Sequence, residues 1–170
     1  MEKDKLIKFV SSALIVFALT YFIQQPLASL GYFNVGDIGV VFAGLFLGWK
    51  EGFLAAAIGS AIADAASGYA FFVPLTILAK GMEGFFYGLA STKDGALKYV
   101  FSAIGALLMV GIYFCGETYF YPKVGYTGAL AELRPNLIQA IGGFIGGNIL
   151  FLINKSLKAL MEKTVGDAAE

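Results

Sequence analysis

The sequence predicts an all-α integral membrane protein, a bundle of six transmembrane helices with both termini in the cytoplasm. Three observations predict this class: an apolar composition, six apolar segments with polar breaks between them, and a one-sided distribution of lysine. Hydrophobic residues make up 58% of the 170 residues and charged residues only 14%, and the mean hydropathy is +0.76. A soluble domain carries about 25% charged residues. The chain therefore lacks the charge to cover a globular surface, and its length suits a single domain over residues 1–170.

Six helices are expected from the apolar segments. They cover residues 6–25, 35–48, 53–67, 74–90, 97–117 and 135–153. Pro74 and Pro135 mark the starts of the fourth and sixth helices, because proline is favourable in the first turn. No A-x-A-like cleavage site closes the first apolar run, so we expect it to be retained as the first helix. The loops are 26–34, 68–73, 91–95 and 118–134, with a tight turn at 49–52.

The second and third helices are short for a membrane span. Each has about 14–15 residues, and a full span needs about 20. Two short spans are favoured, because the polar groups at 49–52 suit a water interface. A re-entrant hairpin is the alternative.

The basic residues predict the orientation. In a six-span bundle nine lysines fall on one side: Lys3, Lys5, Lys8, Lys50, Lys93, Lys98, Lys155, Lys158 and Lys163. Only Lys123 and Arg134 fall on the other side, and Lys80 lies within the fourth helix. Because lysine and arginine concentrate on the cytoplasmic side of membrane proteins, both termini are expected there. The loops at 26–34, 68–73 and 118–134 would then face outward, in a multi-pass protein of a prokaryotic plasma membrane.

Small residues recur in the third and sixth helices. They are Ala55, Gly59 and Ala63, Ala57, Ala61 and Ala65, and Gly142, Gly143, Gly146 and Gly147. This spacing lets helix backbones approach closely. Two interpretations stay open: packing within this chain, or docking onto another membrane subunit.

Polar residues within or beside the apolar segments are the candidate ligand contacts. A charge in the hydrocarbon core costs at least about 2.5–3.5 kcal/mol and usually has a role. The candidates are Asn34, Asp37, Asp64, Tyr69, Thr76, Lys80, Glu117, Gln139 and Asn148. Most lie near the outer ends of the helices, where aromatic residues surround them. An outward-facing pocket of this kind suits a small, flat, polar ligand.

Structural roles compete for several of these residues. Lys80 could pair with Glu83 on the next turn or with Asp64 across helices. Asp37 could cap the second helix, and Asn148 is more typical of an interhelical hydrogen bond than of a ligand contact. Tyr69, Thr76, Lys80 and Glu117 are the preferred ligand contacts.

Enzyme classes fit poorly. The sequence has no histidine, which removes zinc motifs of the H-E-x-x-H kind and any Ser/His pair. The segment Asn34-Val35-Gly36-Asp37 lacks the first glycine of the G-x-G-D signature of intramembrane aspartyl proteases, and there is no phosphate loop. We therefore expect no catalysis, cofactor or metal. The single Cys115 has no disulfide partner and is expected to be a small buried residue.

A series of motifs carries a family resemblance. It consists of Asn34-Val35-Gly36-Asp37, Gly44, Gly48, Gly52, Gly59, Asp64, Gly68-Tyr69, Pro74, Thr76, Lys80-Gly81 and Gly84. Over residues 34–88 the chain resembles the substrate-binding S component of energy-coupling factor (ECF) vitamin transporters. It is most similar to the branch of riboflavin-type and pyridoxine or hydroxymethylpyrimidine S components. Size, helix number and orientation match over the whole chain.

The resemblance implies a function. S components bind a vitamin or precursor from outside and associate with a coupling membrane protein and two cytoplasmic ATPases, whose ATP hydrolysis drives release inside. Pyridoxine or hydroxymethylpyrimidine is the expected ligand, with Lys80, Thr76 and Glu117 bonding its polar groups and the loop at 26–34 as the gate. The first helix, however, lacks the Ala-x-x-x-Ala docking motif of many S components, so the third helix competes for that role. A stand-alone secondary carrier or channel and a ligand-free assembly subunit are the alternatives.

Overall fold

The structure, a computed structural model, describes residues 2–167 and the side chains of residues 2–164. Six α-helices and one small hairpin make up its main elements. They are α1 (Glu2–Phe22), β1 (Gln24–Pro26), β2 (Tyr32–Asn34), α2 (Gly36–Leu47), α3 (Trp49–Ala66), α4 (Val73–Ala90), α5 (Gly95–Phe120) and α6 (Gly125–Asp167). A short 3-10 helix, Ala70–Phe72, precedes α4. The all-α prediction agrees with this architecture, apart from the hairpin.

The short helix α2 lies at the centre of the bundle. It packs against α1, α3, α4 and α6, while α4, α5 and α6 follow one another around the outside. Its apolar residues Val40 and Ala43 join Val16 of α1 and Ala55 of α3 in one buried cluster. The central position explains why a helix of only 12 residues is stable, since most helical stability in proteins comes from packing.

Glycines allow the closest helix contacts. A Cβ atom at Gly84 would lie 2.6 Å from the carbonyl oxygen of Gly52, and one at Gly44 would lie 2.6 Å from the carbonyl oxygen of Gly84. In α6, Gly143 contacts Asp37 of α2 in the same way. In α3, Gly59 lies against Val16. These small residues therefore pack within this chain, whereas Gly142 faces open space.

Burial is inverted relative to a soluble protein. Glu83 and Glu117 are 0% exposed, whereas the apolar Leu107 and Ile141 are 64% and 61% exposed. Three helices are long and apolar enough to cross a membrane: Glu2–Phe22, Gly95–Phe120 and Gly125–Thr164. An apolar surface around a polar interior is expected when lipid is the solvent. The chain is a membrane protein.

The two ends of the bundle differ. Lys8 lies 6.0 Å from the ring centre of Phe46 near the end of α2, and Lys93, Lys98 and Lys155 surround one pocket on the same side. We call this the lysine end. The opposite end carries β1 and β2 and is called the hairpin end.

The structure corrects the expected start of the sixth helix. The helix begins at Gly125, so Pro135 lies inside it and most of the expected loop at 118–134 is helical. Gly125 has a φ of 61°, which only glycine adopts easily, and it provides the break after α5. The helix formers Ala129, Ala131 and Leu133 then propagate the helix through Pro135, whose missing N–H is tolerated in membrane helices.

Two further expectations are wrong. Residues 49–52 are the first turn of α3 rather than a separate turn, because the break is confined to Gly48 with its φ of 85°. Cys115 is exposed on the apolar outer face of α5 rather than buried.

Candidate ligand-binding site

The strands β1 and β2 form a hairpin over one end of the bundle. The sequence predicted a helix up to residue 25 and a loop over 26–34, whereas α1 ends at Phe22. Gln24 pairs with Asn34 and Pro26 with Tyr32, and the Leu27 N–H donates to the Gly31 carbonyl over 2.9 Å. β2 contacts α1 and α6. The hairpin therefore holds Tyr32 and Asn34 over the interior of the bundle.

Below the hairpin lies a small polar cavity with a volume of about 30 Å³. Side chains from five helices, the hairpin and the 3-10 helix line it: Thr20, Gly31, Tyr32, Asn34, Ser60, Asp64, Phe72, Thr76, Lys80, Tyr113, Glu117, Glu132, Asn136 and Gln139. Such a volume holds roughly one water molecule, while ligand pockets typically measure about 300–1,000 Å³. A vitamin-sized ligand can therefore enter only if the walls move apart.

Lys80 is the cation of the cavity. Its ammonium group forms a buried salt bridge with Asp37 of α2, and a carboxylate oxygen of Glu83 lies 4.0 Å away. The ring centre of Tyr113 is 5.4 Å from the same nitrogen. Asp37 is thus the main partner of Lys80, rather than the expected Glu83 or Asp64, because α2 packs directly against α4.

Asp64 is the centre of a second set of hydrogen bonds. The Tyr32 hydroxyl donates to Asp64 Oδ1, and Thr76 also lies against this carboxylate. The Tyr113 hydroxyl donates to Thr76 Oγ1 over 3.1 Å. Burial raises the pKa of Tyr32, and the neighbouring Asp64 charge raises it further. The Tyr32 hydroxyl therefore stays protonated and keeps the hairpin attached to α3.

Amide groups connect the hairpin to α6. The Asn34 N–H donates to Gln139 Oε1 over 2.7 Å, and Gln139 Nε2 donates to Asn136 Oδ1 over 3.3 Å. The Asn34 side chain accepts from the Gly36 N–H over 2.8 Å, at the start of α2. Asn34 therefore takes the local capping role that was considered for Asp37, whose side chain does not cap α2.

Two carboxyl groups, Glu117 and Glu132, lie against each other on the α5–α6 side of the cavity. Both residues are buried, and both Glu117 oxygens and Glu132 Oε1 have no hydrogen-bond partner among the described residues. A side chain at Gly31 would collide with the Glu132 carboxyl. Buried polar atoms without partners are costly, so this carboxyl pair is suited to a ligand that donates hydrogen bonds.

Two aromatic pairs separate the cavity from a wider outer pocket of about 570 Å³, which we call the vestibule. Tyr32 lines the cavity and stacks on Tyr69 of the vestibule with ring centres 4.5 Å apart. Phe72 lines the cavity and stacks on Tyr121 of the vestibule at 5.5 Å. Each pair thus has one ring on either side of the barrier.

The structure brings six of the nine candidate residues together in the cavity wall: Asn34, Asp64, Thr76, Lys80, Glu117 and Gln139. Asp37 lies behind Lys80, and Tyr69 lines the vestibule. Asn148 donates to the Phe144 carbonyl of its own helix over 2.6 Å and does not line the cavity.

Sequence reasoning missed five polar or aromatic lining residues: Thr20, Ser60, Tyr113, Glu132 and Asn136. Most of them could have been predicted from their helical spacing relative to other polar residues. Ser60 precedes Asp64 by four residues, Tyr113 precedes Glu117 by four, and Glu132, Asn136 and Gln139 follow a 4–3 spacing on one face of α6. Residues at these spacings share a helix face.

The fold and cavity define a class: a helical membrane protein with a closed polar cavity among its helices. The family model for the S component of ECF-type riboflavin transporters matches residues 10–158. The chain is 31% identical over 147 residues to "Uncharacterized protein in gap 3'region" of Pyrococcus woesei, an alignment that covers 84% of this chain and 97% of the relative. It is 27% identical over 128 residues to the thiamine precursor transporter HmpT of Lactococcus lactis, covering 75% of this chain and 68% of HmpT.

The chain belongs to the ECF-type riboflavin transporter S component family. The resemblance drawn from residues 34–88 is therefore confirmed, and the similarity to HmpT supports the branch. Members of this family are non-enzymatic, substrate-binding transport subunits.

Proposed function

We propose that this chain is the S component of an ATP-driven ECF transporter and binds hydroxymethylpyrimidine or pyridoxine in the polar cavity. The observation that carries this proposal is the buried carboxyl pair Glu117–Glu132, which lines the same cavity as Lys80. The pair accepts hydrogen bonds, and the ammonium group of Lys80 donates them. A small heteroaromatic ring with hydroxyl or amine substituents offers matching groups on its edge.

Hydroxymethylpyrimidine matches the carboxyl pair best. The amino substituent on its ring would donate to Glu117 and Glu132. A ring nitrogen or the hydroxyl would accept from Lys80 or Thr76. Asn34, Asp64 and Gln139 complete the contacts, and Asp37 positions Lys80. The similarity to a thiamine precursor transporter supports this choice.

We also propose that the ligand enters through the hairpin end. The two aromatic pairs, Tyr32–Tyr69 and Phe72–Tyr121, act as the gate, and opening them joins the cavity to the vestibule. The hairpin contributes Tyr32 and the turn at Leu30, a residue other than glycine held at a φ of 74°. This conformation costs about 1–3 kcal/mol, which favours a turn that rearranges when the ligand enters.

The proposal includes the topology and partners expected from the sequence. The chain would form one six-span domain in the cell membrane, with both termini in the cytoplasm and the hairpin end outside. Lys8, Lys93, Lys98 and Lys155 at the opposite end support this orientation. A transmembrane coupling subunit and two cytoplasmic ATPase subunits would supply the energy for release inside.

The test is to purify the chain and identify the small molecules bound to it by mass spectrometry. Calorimetric titration with hydroxymethylpyrimidine, pyridoxine and riboflavin follows. We expect hydroxymethylpyrimidine or pyridoxine to co-purify and to bind more tightly than riboflavin, because the larger riboflavin molecule would require the cavity walls to move further apart. Recovery of an unrelated ligand would contradict the proposal. Uptake by vesicles that contain this chain alone, driven by an ion gradient without ATP, would identify a secondary carrier instead.

A further inference from the structure

A second pocket, at the lysine end, is not used by the proposed ligand site. It has a volume of about 430 Å³, and Lys93, Lys98 and Lys155 line it together with a single acidic residue, Asp94. None of the three ammonium groups lies within 4.0 Å of a carboxylate among the described side chains, those of residues 2–164. Three cations facing one carboxylate give the pocket a positive charge that is suited to an anion.

An apolar cleft continues from this pocket along α5 and α6. It has a volume of about 510 Å³ and is lined by residues such as Ala103, Ala106, Leu107 and Ile141. Tyr99 lines both the cleft and the lysine pocket. Ser102, which also lines the cleft, donates its hydroxyl to the Lys98 carbonyl of its own helix over 2.9 Å.

The length of the cleft matches one leaflet of a bilayer. Tyr99 and Val110 mark its extent on α5, and eleven helical steps span about 16 Å. Half of the hydrocarbon core of a bilayer is about 15 Å. The cleft therefore suits an acyl chain that runs inward from a headgroup at the membrane surface.

We propose that the lysine pocket and the cleft together bind one anionic phospholipid. The phosphate would contact Lys93, Lys98 and Lys155, Tyr99 would lie at the level of the glycerol, and one acyl chain would occupy the cleft. Charge complementarity selects the occupant, because basic pockets between helices on the cytoplasmic side are suited to anionic headgroups. Such a lipid would fix α5 and α6, the two helices that carry Glu117 and Glu132, without contacting the polar cavity.

The test is native mass spectrometry of the delipidated full-length protein, titrated with phosphatidylglycerol or with phosphatidylcholine of the same acyl chains. We expect one phosphatidylglycerol to bind with at least about tenfold preference. The triple variant Lys93→Gln/Lys98→Gln/Lys155→Gln should lose this preference. The matched variant Lys3→Gln/Lys5→Gln/Lys163→Gln, which removes three exposed lysines outside the pocket, should keep it.

A change in the cleft separates headgroup binding from acyl-chain binding. Ala106→Leu should weaken the binding of both lipids, and Ala103→Leu, at an exposed position of the same cleft, serves as a second variant if the first does not fold. Equal loss of preference in both lysine variants would overturn the proposal, because it would indicate a general charge effect. Displacement of the lipid by inorganic phosphate alone, or a dimer that forms through the cleft, would overturn it as well.

Discussion

The hairpin end and the lysine end of the bundle are stabilised in different ways. At the hairpin end, charged and polar side chains such as Asp64, Lys80 and Glu117 are buried around a cavity. Toward the lysine end, Gly44, Gly52 and Gly84 bring three helix backbones into direct contact. One half of the bundle therefore buries costly polar groups around the cavity proposed for the ligand, while the other half is held together by close backbone packing.

The largest effect is expected from the buried salt bridge. Lys80→Met leaves Asp37 without its cation, and removing one member of a buried pair costs about 3–5 kcal/mol. Thermal unfolding in detergent should show this loss, and the double variant Asp37→Asn/Lys80→Met should recover part of it. Lys158→Met is the matched control, because Lys158 and Glu162 form an exposed pair. If Lys158→Met lost as much stability as Lys80→Met, the expected difference between the buried and the exposed ion pair would be contradicted.

The second effect concerns the glycine contacts. In Gly84→Ala the new Cβ atom would lie 2.6 Å from the backbone oxygen of Gly52, and overpacking of this kind costs about 1–3 kcal/mol. Gly111→Ala is the control, since Gly111 has open space around its Cβ position. Thermal unfolding of the two variants should separate them clearly. Equal stabilities would show that the three helices are not in close contact.

The third effect is on ligand affinity alone. Glu117→Gln and Glu132→Gln should each weaken hydroxymethylpyrimidine binding by about 10- to 100-fold, because a hydrogen bond to a charged group contributes about 1.5–3 kcal/mol. The free energy of unfolding should be unchanged or higher, because replacing one carboxyl group by an amide removes the repulsion between two adjacent buried carboxyl groups. Calorimetry measures the affinity, with the exposed Glu162→Gln as control. Unchanged affinity in both variants would show that neither Glu117 nor Glu132 contacts the ligand.

The smallest effect is expected at the gate. Tyr69→Ala and Tyr121→Ala each remove one aromatic stack, which contributes about 0.5–1.5 kcal/mol. Ligand association and dissociation should both become faster, by up to about tenfold, while the Kd changes less. Stopped-flow fluorescence can measure both rates. Tyr119→Ala, at a position 76% exposed, should leave them unchanged.

The sequence predicted the helices well where apolar runs are long, and the errors have physical causes. The sequence predicts a loop over 118–134 because the segment is polar and aromatic and because Pro135 suits the first turn of a helix. In the structure Glu132 belongs to the polar face of α6 that lines the cavity. Hydropathy alone cannot distinguish such a face from a loop, whereas its 4–3 spacing can.

The partners within the site were harder to predict than its members. Thr76 and Lys80 were grouped correctly because they lie four apart on one helix. The salt bridge between Lys80 and Asp37, however, depends on how α2 packs against α4. The sequence offered Glu83 and Asp64 as partners, and the tertiary contact instead selects Asp37.

The most direct test of the central claim is an experimental structure of the protein with hydroxymethylpyrimidine bound. We predict that the ring lies in the cavity beneath Tyr32, with its amine within hydrogen-bonding distance of Glu117 or Glu132 and with Lys80 on its edge. The volume of the cavity should be larger than the present value of about 30 Å³. A ligand bound only in the vestibule, at the lysine end or between α5 and lipid would contradict the account.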